Sequence, residues 1–137
     1  MPYSLKFKKP VAISDPEKYI NHCCIGGDLV LAQLLPGLRE RFKDIRSDQE
    51  DWGWFAWIDQ PGVKLAVDVF TEEAEAGEFI MHITSRKPRL LLAAKIEDLP
   101  ELEVLRDQVV GDLKAWQVED LSVERVDERY FAVGDNR

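Results

Sequence analysis

Apolar and polar residues alternate along several stretches of this chain, and the alternation predicts its strands. Tyr3, Leu5 and Phe7 occupy every second position with Ser4, Lys6 and Lys8 between them, the period of a half-buried strand. Val63, Leu65, Val67 and Val69 repeat the pattern, and Phe79, Met81 and Ile83 repeat it again after an acidic loop at residues 72–77. The run at residues 52–58 is apolar at odd and even positions alike; its aromatic, β-prone composition predicts a strand with both faces covered, or one face offered to a partner. Residues 121–126 read as a closing strand. Residues 90–94 are apolar but too short to assign.

Helical spacing appears twice. After Asp28, which reads as a helix cap, Leu31, Leu34, Leu35, Leu38 and Phe42 form one stripe, with Arg39, Glu40, Arg41 and Lys43 outside it. Pro36-Gly37 interrupts this stripe and predicts a kink or two short helices. Asp98-Leu-Pro-Glu opens a second helix whose stripe is Leu102, Leu105, Val109, Leu113 and Trp116. The order strand, helix, three strands, helix, strand predicts one α+β domain over residues 1–137. An antiparallel sheet of about four to five strands would carry two main helices on one face.

The register of the central hairpin stays open. Gln60-Pro61-Gly62 supplies its turn. A three-residue loop sets Phe55 and Trp57 beside Leu65 and Val67, whereas a two- or four-residue loop sets Trp54 and Ile58 there. One residue of slip exchanges the faces.

Charge narrows the partners. The net charge is −8, from 26 acidic and 18 basic side chains, which argues against a nucleic-acid surface and suits a basic partner. No apolar run approaches the ~18 residues of a membrane span, so no membrane partner is expected. The N-terminus lacks the long apolar segment of an export signal, and the only cysteines, Cys23 and Cys24, are adjacent; both point to a reducing cytoplasm.

Candidate chemistry is sparse. His22-Cys23-Cys24 has no second ligand cluster to complete a tetrahedral zinc site, so no metal and no cofactor are expected. Gly26-Gly27-Asp28 reads more simply as a helix start than as an anion cradle. If Val67 and Val69 oppose Ile83 and Met81, Asp68 opposes His82. That pair reads as a cross-strand polar contact or, alternatively, as a proton-transfer pair in a sheet–helix pocket of a small-molecule enzyme or ligand-binding protein.

The Gly-Gly-Asp helix start, the Arg-rich helix end and the segment Glu50-Asp51-Trp52-Gly53-Trp54 before a hairpin are similar to a group of small, largely uncharacterised bacterial proteins. Some of these resemble immunity proteins of toxin systems. The likeness spans roughly residues 19–116. It carries no catalytic residues to transfer, and it implies a basic toxin, such as a nuclease, as the partner class. The expectation is therefore a non-catalytic protein-binding domain, using Asp48, Glu50 and Asp51 as an acidic rim and Trp52 or Trp54 as an anchor. A homodimer built on the aromatic sheet face is a further alternative.

Overall fold

The computed structural model describes residues 1–133. Its strands are β1 (Tyr3–Lys8), β2 (Ile45–Glu50), β3 (Gly53–Gln60), β4 (Val63–Glu73), β5 (Glu78–Arg89), β6 (Leu92–Ile96) and β7 (Glu119–Arg125). They form one seven-stranded sheet in the order β2-β3-β4-β5-β1-β7, with β6 also paired to β5, and every pairing is antiparallel. The α+β class is as the sequence predicts; the strand number exceeds the expected four to five because β2 and β6 were not legible as strands.

Two helices, α1 (Gly27–Arg41) and α2 (Pro100–Ala115), cover one face. Val30, Leu31, Leu34 and Leu38 of α1 and Leu102, Leu105, Val109 and Leu113 of α2 are buried in one cluster. Leu5, Phe7, Ile58, Leu65, Val67, Val69, Phe79, Met81 and Ile83 of the sheet complete it. Each such side chain contributes roughly 1.5–3 kcal/mol on burial, which makes this face the main source of stability.

Two expectations about α1 are corrected. The helix is continuous through Pro36, which overturns the form with two short helices. Pro36 and Ala32 both lie on the exposed side, so the Ala32 carbonyl that proline leaves unpaired can be met by water. Gly37 serves a close approach between helices: a Cβ there would come within 2.6 Å of Gln108 Nε2 and 2.7 Å of Asp112 Oδ2 on α2. The cap is Gly26, left-handed at φ 86°, and Asp28 sits inside the first turn. There the Asp28 carboxylate accepts the Tyr19 hydroxyl at 2.7 Å and pairs with Lys18 at 2.8 Å.

The hairpin register is settled by a two-residue Pro61-Gly62 turn, with Gln60 opposite Val63. Trp54, Ala56 and Ile58 then lie beside Val69, Val67 and Leu65 on the helix side. Phe55 and Trp57 point to the other face.

Candidate functional site

The register distributes the candidate residues between the two ends and two faces of the sheet. At one end, Asp51-Trp52 forms the turn between β2 and β3. Gly53 makes this turn fit: its φ is 153°, and a Cβ there would stand 2.2 Å from the Val69 carbonyl oxygen of β4. The same register brings the end of β4 alongside, so the exposed Glu72, Glu73 and Glu75 join the exposed Asp48, Glu50 and Asp51 at that end. Among the described residues none of these carboxylates is in an ion pair. Trp52 stands among them 37% exposed.

Trp54 is placed differently. Its indole Nε1 donates to the Cys24 carbonyl at 2.8 Å, and Tyr19 meets it edge-on with centroids 6.4 Å apart. Gly27 makes room for it, since a Cβ at that position would lie 2.6 Å from Trp54 Cδ1. Of the two tryptophans offered as anchors by the sequence, Trp54 is therefore occupied in packing β3 onto the start of α1. Trp52 is the more exposed of the two.

The short His22–Cys24 turn supports this corner. Asn21 caps it, accepting from the Cys23 amide at 3.0 Å, and the buried Cys24 thiol donates to the Glu50 carbonyl at 3.0 Å. Burial pushes the Cys24 thiol above its usual range and keeps it protonated. Among the described residues no three His, Cys, Asp or Glu side chains gather in a group suited to a metal ion.

The sheet face away from the helices carries Asp68 and His82. They are cross-strand partners, as the strand pattern predicts. Their side chains are engaged elsewhere. Asp68 Oδ1 accepts from Trp57 Nε1 at 3.0 Å. The His82 ring stacks on Tyr130, with centroids 4.1 Å apart and planes at 4°, and meets Phe70 edge-on. Burial raises the Asp68 pKa, opposed by the Trp57 hydrogen bond and the Arg86 charge. Burial lowers that of His82 to about 4, so its ring is neutral at pH 7. Among the described residues no hydrogen bond joins the two, which leaves a proton without a direct route between them.

Beside them, toward the opposite end of the sheet, lies an open cleft of about 360 Å³. Arg46, Lys64 and Arg86 line it together with Asp44, Asp59, Trp57 and Ala66. Arg46 rests over the stacked Phe55 and Trp57 rings, 5.9 and 5.3 Å from their centroids. Neither Asp68 nor His82 lines this cleft, and it lies on the face away from the helices. The cleft was not legible in the sequence, because it depends on β2 and on which face Trp57 takes.

No helix among the described residues is long and apolar enough to cross a membrane. Compared with known proteins, the chain matches no family model, no curated protein and no solved structure at a significant level.

Proposed function

We propose that this chain is a non-catalytic protein-binding domain whose acidic end engages a basic partner protein. The observation that carries the reading is the exposed Trp52 standing among Asp48, Glu50, Asp51, Glu72, Glu73 and Glu75, none of them ion-paired among the described residues. An aromatic side chain that can be desolvated supplies binding energy, and unpaired surrounding charges accelerate encounter and select the partner's sign. The resemblance noted in the sequence gives the partner class as a bacterial toxin, with this chain in the role of immunity protein. Asp68 and His82 take no catalytic part in this reading; they hold the far sheet face together through Trp57 and Tyr130.

The test is a photo-crosslinking side chain placed at position 52 in cells that make the protein. A single adduct with a basic protein is expected, and it should vanish when Glu50→Lys and Asp51→Lys are added. Crosslinking that survives those reversals, or that is matched by a control crosslinker at the exposed Glu40, near the C-terminal end of α1, would contradict the reading.

A further inference from the structure

The β5–β6 hairpin extends past the body of the sheet. β4 keeps pairing with β5 only as far as Lys64 opposite Arg86, and beyond that β5 has β6 as its partner. The turn that joins the two strands is Leu90-Leu91, followed by Leu92; these side chains are 89%, 95% and 64% exposed. From Arg86 to Lys95 the segment holds Arg86, Lys87, Arg89 and Lys95 and no acidic residue, in a chain where acids outnumber bases 26 to 18.

Three features of this finger weaken the free fold. Large apolar side chains remain in water. Lys87 lies directly opposite Lys95, a like-charged cross-strand pair. Leu91 takes a left-handed φ of 61°, where glycine or asparagine would sit without strain. A turn that served only to connect two strands would carry none of them. The first two are relieved by one kind of surroundings: an apolar medium at the tip and negative charge a short distance behind it.

We propose that the β5–β6 finger is a membrane-contact element that inserts its leucine tip into an anionic lipid surface. The spacing fits that occupant. Lys87 and Lys95 stand three residues back from Leu90 and Leu92, or ~10 Å along the strands. Apolar side chains of interfacial segments sink about 5–10 Å into the headgroup–acyl boundary, which leaves these lysines at headgroup level. Leu90, Leu91 and Leu92 are consecutive, so the tip is apolar on both faces of the hairpin. A fluid interior accepts such a shape, whereas a protein groove reads one face. The acidic cluster does not oppose the contact, because it sits at the other end of the sheet, beside the start of β5. Eight residues of strand separate Glu78 from Arg86, ~27 Å, well beyond the Debye length of about 8 Å at physiological salt. Insertion of a hairpin tip needs no membrane-spanning helix.

Cosedimentation of the purified full chain with phosphatidylcholine vesicles, with and without phosphatidylserine, tests the proposal. Binding is expected to require phosphatidylserine and to fall as salt is raised. Lys87→Gln with Lys95→Gln should weaken it by roughly 30-fold, from about fivefold for each cation lost near the surface. Leu90→Ser with Leu91→Ser should weaken it by on the order of 100-fold. Leu91→Gly separates this role from a structural one: it should raise the unfolding midpoint by removing backbone strain and still weaken vesicle binding. The proposal is overturned if the wild type ignores anionic vesicles or if the tip variants bind them as the wild type does. It is equally overturned if sedimentation velocity shows a wild-type dimer that the tip variants convert to monomer, since the tip would then be covered by a second copy.

Discussion

Truncating Trp54 to alanine is expected to cost about 3 kcal/mol of folding stability, and the same change at Trp52 less than about 0.5 kcal/mol. The two residues lie two positions apart, so sequence gives no ground for the difference; the structure does. A fully buried tryptophan loses roughly 3–5 kcal/mol on truncation to alanine, and the half-buried Trp54 belongs at the lower end of that range. Included in the sum are about 1 kcal/mol for the bond to the Cys24 carbonyl and roughly 0.5–1.5 kcal/mol for the edge-on contact with Tyr19. Trp54→Phe keeps most of the ring and loses the donor, so it should cost about 1–2 kcal/mol. Urea unfolding followed by far-ultraviolet circular dichroism is the assay, because tryptophan fluorescence is altered by the substitutions themselves. The midpoint should move while the denaturant slope stays constant. Equal losses at the two positions, or a larger loss for Trp52→Ala, would refute the assignment of Trp54 to packing and Trp52 to the surface.

Two other perturbations follow from the same geometry. His82 has a folded pKa of about 4 against an ordinary 6.5, so between those values the unfolded chain binds more protons and stability falls as pH falls. Discounted for its partial exposure, this loss is about 1–2 kcal/mol, and the raised Asp68 pKa works in the opposite direction. His82→Phe, which keeps an aromatic ring against Tyr130, should flatten the decline; identical pH profiles of stability for variant and wild type would exclude His82 as its source. Gly53→Ala drives a Cβ into the Val69 carbonyl and should cost on the order of 2–3 kcal/mol or more, read as a lowered urea midpoint; an unchanged midpoint would show that the β2–β3 turn is not pinned against β4.

The parts of the fold legible in sequence are those where one face is buried and the other is not. β1, β4 and β5 alternate because the helices cover only one side of each, and α1 and α2 show stripes for the same reason. β2 was invisible: Ile45-Arg-Ser-Asp-Gln-Glu has a single apolar residue, as suits an edge strand with little to bury. β6 was ambiguous because Leu92 and Ala93 are exposed, so its apolar residues do not follow a buried face. The placement of β1 between β5 and β7 is a tertiary fact that no local pattern encodes.

The site was legible to a similar degree. Two matching alternations were enough to place Asp68 opposite His82. The stacking of Tyr130 on His82 was not, since it depends on the chain returning to the sheet after β7. Nor could sequence divide Trp52 from Trp54, because the division follows from Trp52 falling in the β2–β3 turn, and β2 was not legible as a strand. Gly27 was a partial signal, a small residue where a large ring needs space.

The acidic end as a protein-binding surface is tested most directly by association kinetics with the partner that crosslinks at position 52. Glu50→Lys with Asp51→Lys should slow association by roughly tenfold at low salt, with the difference shrinking as salt is added. Trp52→Ala should act mainly on dissociation and weaken binding by about 30-fold, the equivalent of about 2 kcal/mol. Association and dissociation rates unchanged in both variants, with circular dichroism showing each folded, would contradict the account.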